Sequence, residues 1–338
     1  IKKLLGGNAK VTYAPGYFVP GKEGKSEINW QADSTRHIEE EKAKERAAEE
    51  ALSPEEKEAK RIAREEELRR QYFDEAVRLA KESDTVIFVG GLNHDYDVEG
   101  KDREDITLPY GQDELIAQLS KVNKNIAVIL ISGNAVAMPW IKEVPSVLEA
   151  WFSGTESGNA IASVLVGDVN PSGKLPMTFA VRLEDYPAHT VGEYPGDSIN
   201  VKYNEGIFVG YRWTDKHKIR SLFPFGHGLS YTTFQYGKAL LSSSEMNEKE
   251  ILTVTIPIKN TGKVKGKEIV QLYIGDEKSS LERPVKELKG FQKIELNPGE
   301  EKVVEFNITS NDLKFYDEAI QDWNCLLYTS PSPRDISG

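Results

Sequence analysis

Thr85-Val86-Ile87-Phe88-Val89 runs into Gly90-Gly91, and further along Ile126-Ala127-Val128-Ile129-Leu130-Ile131 runs into Ser132-Gly133-Asn134. Both are short, unbroken apolar runs rich in β-branched residues and closed by a turn signal, the pattern of strands buried on both sides. Between them, Asp113 to Val122 carries its apolar residues at helical spacing. Ser146 to Phe152 reads as a third strand and Asn159 to Val166 as a further helix. Apolar strands alternating with helices predict a mostly parallel sheet covered on both faces, a three-layer α/β sandwich. Ligands of such sheets bind beyond the carboxyl ends of the strands, so the loops starting at Gly90, Gly133 and Ser153 are where chemistry is expected.

Towards the N-terminus, Val11-Thr12-Tyr13 is a short strand candidate followed by a Pro/Gly loop. From Arg36 to Arg70 there are 12 acidic and 10 basic residues and almost no large apolar one. Ser53-Pro54-Glu55-Glu56 is a helix start, with a capping Ser, Pro at the first position and acids in the first turn. The spacing predicts helices over 34–51 and 54–82. Without sustained apolar a and d positions, 34–74 reads as a solvated charged insertion rather than a partner-binding coiled coil.

Towards the C-terminus, residues 168–235 are rich in Pro, Gly and aromatics. The period then changes to two: Leu252, Val254, Ile256 and Ile258 alternate with Thr253, Thr255 and Pro257. Ile269–Ile274 and Val303–Ile308 also read as strands, and Asn260-Thr261-Gly262 and Asn297-Pro298-Gly299 as turns. These predict an all-β sandwich over 236–324, following an α/β domain made of 1–33 and 75–235. The chain opens inside an apparent helix, Ile1 to Leu5, with no signal-peptide order, and is expected to be the interior of a longer protein. Cys325 to Gly338 break with what precedes them and resemble a translated adaptor, the alternative being a genuine Ser/Pro-rich tail. On the first reading, the sandwich is truncated near Asn324.

Composition excludes several classes. The 338 residues are 39% hydrophobic and 29% charged, with a formal net charge of −11, and mean hydropathy is −0.48. An acidic chain without a basic stripe argues against nucleic acid and anionic membranes as partners. The longest apolar run has six residues, against the roughly 20 a membrane helix needs. A single cysteine allows no intramolecular disulfide and no Cys-based metal cage. No cofactor is expected, and the compartment stays open between cytoplasm and periplasm or exterior.

The loop after the first strong strand, Leu92-Asn-His-Asp-Tyr-Asp-Val-Glu-Gly-Lys-Asp-Arg103, holds the carboxylates Asp95, Asp97, Glu99 and Asp102 with His94 and Arg103. Such a loop suits a general acid, since an Arg holds one carboxylate ionised while another stays protonated. Its spacing matches no calcium loop. A solvated acidic loop is the plain alternative. His227 reads as a buried structural histidine, Trp151 as core, and Glu205 with Arg212 as a structural pair near the site.

Three further segments are Trp151-Phe-Ser-Gly-Thr-Glu-Ser-Gly-Asn-Ala160 with Gly167-Asp-Val-Asn-Pro-Ser-Gly-Lys-Leu-Pro176, Tyr203-Asn-Glu-Gly-Ile-Phe-Val-Gly-Tyr-Arg212, and Phe223-Pro-Phe-Gly-His-Gly-Leu-Ser-Tyr-Thr232. Together with Glu99-Gly-Lys-Asp-Arg103 they resemble the C-terminal half of glycoside hydrolase family 3, the β-glucosidase family. Arg283-Pro-Val-Lys-Glu-Leu-Lys-Gly-Phe291 and Asn297-Pro-Gly-Glu300 resemble the fibronectin type III-like domain that ends many members. The charged helical segment lies outside that resemblance. It implies a retaining β-glucosidase, with β-xylosidase as the variant, acting on terminal sugars of oligosaccharides or β-glucosides. It also implies an acid/base Glu before the Gly-x-Asp-Arg element, here Glu99, and a nucleophilic Asp on an N-terminal (β/α)8 barrel that this chain lacks. The chain alone is therefore expected to be inactive. His94, Asp97, Asp102 and Arg103 are expected near substrate, with Asp97 the competitor for the acid/base role and Asp102–Arg103 a candidate ion pair. A noncatalytic sugar-binding or scaffold protein is the alternative, and a homo-oligomer is left open.

Overall fold

The structure is a computed structural model that describes residues 1–20 and 52–325 apart from 193, 198, 277, 278 and 280. The helix expected over 34–51 lies outside the described residues. The second one forms: α1 spans Pro54–Lys81 as one unbroken helix. Ser53 closes a capping box, its hydroxyl accepting from the Glu56 N–H while the Glu56 carboxylate accepts from the Ser53 N–H. The exposed first half is laced by Arg61 to Glu58 and Glu65, and the second half buries Ala76, Val77 and Ala80. From Pro54 on, the charged segment and the core helix are thus one continuous element across residue 74. Ser53→Ala removes one capping partner, which costs about 1 kcal/mol. Because this end is exposed, faster amide exchange over the first turn of α1 is expected, with little change in global unfolding.

The strands β1 (Val86–Gly91), β2 (Ile126–Ile131) and β3 (Ser146–Glu149) form a parallel sheet in the order β1-β2-β3. The crossover from β1 to β2 carries α2 (Gln112–Val122). One face of the sheet, with Phe88, Val128 and Leu130, packs in a single core with Ala76, Val77 and Ala80 of α1 and Leu115, Ile116 and Leu119 of α2. On the other face Ile129 is buried, while Ile87 and Val89 are exposed among the described residues. A further helix, α3 (Ser157–Leu165), follows β3. Val11-Thr12-Tyr13 is not a strand: Val11 and Tyr13 are exposed and no partner strand lies beside them among the described residues, which supply no ladder to hold them extended. Phe18, by contrast, is buried, and Tyr17 packs on Phe88 and Tyr110.

Residues 168–235 wrap the sheet end in irregular backbone. Phe179 and Phe223 bridge antiparallel, and short helical turns at Leu183–Asp185 and Pro187–Thr190 and the helix α4 (Tyr211–His217) interrupt the coil. His227 stacks on Phe223 with ring centroids 5.0 Å apart. Burial, with the Lys174 charge, lowers its pKa, which fits a structural histidine.

The β-sandwich follows. In β6 (Leu252–Asn260), Leu252, Val254, Ile256, Ile258 and Asn260 are buried in strict alternation. β6 pairs antiparallel with β9 (Glu301–Ile308) on one side, and with β4 (Phe234–Tyr236) and β5 (Leu240–Leu241) on the other. The ladder breaks between β4 and β5 at Pro257, where a donor is missing. The second sheet pairs β7 (Gly266–Ile274) with β8 (Glu287–Leu296). The hairpin of β10 (Lys314–Asp317) and β11 (Asp322–Cys325) closes the domain. Cys325, read from the sequence as the first residue of a foreign tail, pairs with Lys314 and is buried in the sandwich core. An apolar thiol at the end of a paired strand packs as well as any small hydrophobe. Fold class is therefore α/β followed by an antiparallel β-sandwich.

The two domains are tied by Asn170 Nδ2 donating to the Lys265 carbonyl at 3.0 Å, Gln271 Nε2 to the Gly226 carbonyl at 3.1 Å, and the Leu288 N–H to the Tyr211 hydroxyl at 2.9 Å. Lys174 pairs with Glu268 at 3.1 Å and Arg212 with Glu287 at 3.5 Å across the same seam. The expected Glu205–Arg212 pair is not formed. Arg212 turns to the sandwich, and one Glu205 carboxylate oxygen is buried without a partner among the described residues.

Candidate active site

The site is built where β1 ends. Gly91 has φ 132° and lies so close to the Ile131 carbonyl that a β-carbon would collide with it. Gln112, fully buried at the start of α2, staples this end. Its Oε1 accepts from the Gly91 N–H at 2.7 Å, and its Nε2 donates to the Gly91 and Pro109 carbonyls at 2.8 and 3.0 Å. Both feet of the acidic loop, at Gly91 and Pro109, are thereby fixed to the same side chain.

Inside the loop, each carboxylate has a different environment. Asp95 accepts from the Tyr110 hydroxyl at 2.9 Å and from Asn93 Nδ2 at 3.1 Å. Desolvation and the neighbouring carboxylate push the Tyr110 phenol up to about 12. Asp97 crosses to the loop after β2, where its Oδ2 accepts from the Gly133 N–H at 2.7 Å. A side chain at Gly133 would meet that oxygen and the Phe152 ring. The Asp102 carboxylate lies by the Tyr194 phenol and raises its pKa. Glu99 is exposed at the tip of a tight turn, closed by a Val98–Lys101 bridge around Gly100 at φ 77°. It has no hydrogen bond or ion pair among the described residues.

Arg103 and Asp102 do not pair. Arg103 points inward instead, donating to Asn134 Oδ1 at 2.7 Å, the Ala135 carbonyl at 3.3 Å and the Thr107 carbonyl at 3.0 Å. Adjacent residues leave an extended chain on opposite sides, and only one of these two can reach the β2 loop. Burial lowers the guanidinium's pKa, opposed by the Asp105 and Asp97 charges. His94 is exposed. Trp140 is core, its Nε1 donating to Asp113 Oδ1 at 2.7 Å, and Trp151 packs edge-on against Phe179. Among the described residues no three His, Cys, Asp or Glu side chains are grouped as a metal ion requires, and no helix is long and apolar enough to cross a membrane.

One half-buried acid, with a carboxyl oxygen closed off from solvent, escapes sequence reading. Glu149, at the carboxyl end of β3, accepts from the Trp151 N–H at 3.1 Å and lies 3.2 Å from the Ser132 hydroxyl. Its only sequence signal is a carboxylate inside the apolar run Val147-Leu148-Glu149-Ala150.

Residues 3–231 match the glycosyl hydrolase family 3 C-terminal domain, and residues 268–326 match the fibronectin type III-like domain. The chain is 53% identical over 274 residues to a β-glucosidase of Bacteroides ovatus, covering 78% of this chain and 37% of that protein. It is 46% identical over 271 residues to thermostable β-glucosidase B of Acetivibrio thermocellus, covering 79% of this chain and 36% of that protein. The crystal structure of a family 3 β-glucosidase from Bifidobacterium adolescentis superposes with a TM-score of 0.72 at 35% identity, covering 80% of this chain and 40% of that one. That of DesR, a β-glucosidase from Streptomyces venezuelae in complex with D-glucose, superposes with a TM-score of 0.71 at 36% identity, covering 78% of this chain and 34% of that one. The chain spans little more than a third of the length of these curated relatives. With an acid-bearing loop at the carboxyl end of a parallel sheet and a β-sandwich behind it, the chain belongs to glycoside hydrolase family 3.

Proposed function

We propose that this chain supplies the acid/base half of a retaining β-glucosidase and that Glu99 is the acid/base. The observation that carries the reading is the division of labour in the loop. Asp95 and Asp97 each accept a hydrogen bond and Asp102 lies by the Tyr194 phenol, whereas Glu99 extends from a turn braced on both sides and keeps its carboxyl for something else. Retention needs two carboxyl groups about 5–5.5 Å apart across the glycosidic bond. The second, a nucleophilic Asp, is assigned to the N-terminal barrel that the family resemblance implies. Glu99 would protonate the leaving oxygen while that Asp attacks the anomeric carbon. It would then take a proton from the water that releases the sugar. A loop docked over a barrel mouth loses water on closing, and a carboxyl there is driven toward its protonated form. Asp97 and Arg103 would keep the loop at its working height, and Asp102 and His94 would lie at its rim toward substrate.

The test is the stereochemistry of the whole protein, barrel included, on an aryl β-glucoside followed by proton NMR. β-Glucose as the first product is expected, together with no turnover by the present chain alone. α-Glucose first would overturn the retaining assignment. Binding of glucosides without turnover would favour a noncatalytic sugar-binding protein.

A further inference from the structure

Glu149 has no part in the mechanism above, yet it sits behind the turn that holds the acid loop. Its Oε1 accepts from the Trp151 N–H at 3.1 Å and lies 3.2 Å from Ser132 Oγ. Ser132 Oγ also lies 2.8 Å from the Asn134 carbonyl, to which it donates. A hydroxyl has one proton. If that proton goes to Asn134, the contact with Glu149 needs a second one, and the carboxyl is its source. Oε2 is closed off from solvent with no partner among the described residues, a placement that a carboxylate tolerates poorly and a neutral acid far better. The turn thus shaped presents the Gly133 N–H to Asp97 at 2.7 Å, and Asn134 Oδ1 and the Ala135 carbonyl to Arg103 at 2.7 and 3.3 Å.

We propose that Glu149 is a positioning residue for the acid loop: as a neutral carboxylic acid it donates to Ser132 Oγ, sets the Ser132–Asn134 turn, and through Gly133 and Asn134 holds Asp97 and Arg103, and with them the segment that carries Glu99. This rests on the assignment of Glu99 only for its catalytic consequence, since the contacts exist regardless.

Burial raises the Glu149 carboxyl from 4.5 to about 7, opposed by the donors that favour its ionised form, the Trp151 N–H and the Ser132 hydroxyl and N–H. No charged side chain contributes to that shift. The charged groups on the far side of the turn, Asp97 and Arg103, face Gly133 and Asn134 instead. When Glu149 ionises, its proton leaves to solvent and the Ser132 hydroxyl must turn toward the carboxylate, releasing the Asn134 carbonyl. The turn loosens as pH rises through that value. The folded chain keeps this proton between about 4.5 and about 7 while the unfolded chain loses it. Stability relative to a Glu149→Gln variant therefore falls across that window and is level above it.

The experiment is amide hydrogen exchange on the present chain, wild type against Glu149→Gln and Glu149→Ala, on either side of that pH and normalised to unstructured-peptide rates. Gln keeps a neutral donor and an acceptor. It is expected to match wild type at the lower pH and to keep its protection of Gly133 and of 92–105 at the higher pH, where wild type loosens. Ala is expected to exchange about tenfold faster at both. Gln behaving like Ala at both pH values would mean that the ionised form holds the turn, and equal exchange in all three would mean that Glu149 does not reach the loop. Either result overturns the proposal. Should Ala fail to fold, wild type against the isosteric Gln decides the same point. In the whole protein, Gln should retain kcat and extend activity to higher pH. None of the exchange outcomes depends on Glu99 being the acid, so failure of that assignment would show separately.

Discussion

Glu99→Gln in the whole protein is expected to lower kcat on a glucoside with a poor leaving group by about 10²–10⁴-fold, the usual worth of a positioned general acid. Gln keeps the size and polarity of Glu but has no proton to give. With an aryl leaving group that departs as a stable anion, the first step needs no proton, so glycosylation should be slowed far less. The second step still lacks its base, and glycosyl-enzyme should accumulate as a burst of released phenol. Exogenous azide, a nucleophile that needs no base, should restore turnover by attacking that intermediate. Equal losses on good and poor leaving groups, with no burst, would remove Glu99 from the acid role. Asp97→Asn is the control for the competing assignment. Asp97 accepts from the Gly133 N–H and Asn keeps an oxygen that can do the same, so the loop should stay placed and any loss should be small and should not depend on the leaving group.

Gln112→Leu is expected to destabilise the chain by about 4 kcal/mol, since each buried polar group left unpaired costs about 1–3 kcal/mol. Gln112 is fully buried and serves three backbone groups at once, the Gly91 N–H and the Gly91 and Pro109 carbonyls. Leu has the volume but no polar atoms, so hydrophobic gain does not offset the orphaned Gly91 N–H and carbonyl, while the Pro109 carbonyl keeps the residue 112 N–H at 3.3 Å. Chemical denaturation should show the loss as a shifted midpoint with an unchanged slope. Gln112→Glu, which keeps the acceptor for Gly91 N–H but turns a donor toward two carbonyls into an acceptor, should be at least as damaging. A loss under about 1 kcal/mol for the Leu variant would mean that water replaces the amide.

The strands and helices of this chain are legible because their signals are local. Phe88 and Val128 lie in runs with no polar residue to spare, and Ser53-Pro54-Glu55-Glu56 caps α1 where it reads as a cap. The alternation from Leu252 to Ile258 becomes β6 with the expected face buried. Val11-Thr12-Tyr13 fails because a strand also needs a partner, and pairing is not a property of three residues. Sequence neighbours are equally poor guides to pairs: Asp102 and Arg103 diverge to Tyr194 and Asn134, and Arg212 passes Glu205 for Glu287 in the other domain.

The acidic loop itself was visible as a run of residues at the end of a strand, and the motifs around it carried the family. Which of its carboxylates stays free was not. That depends on the β1–β2 register, Gly91 opposite Ile131, which brings the loop after β2 under the loop after β1 and puts the Gly133 N–H against Asp97, 36 residues away. Burial is likewise a sum over the whole chain. Glu149 reads as one acid in an apolar run, and its raised pKa follows from the walls that β2, β3 and their loops build around it. Local free-energy preferences act over a turn or a few rungs of ladder and are written in adjacent residues. The field around a buried carboxyl comes from groups that meet only once the sheet has formed.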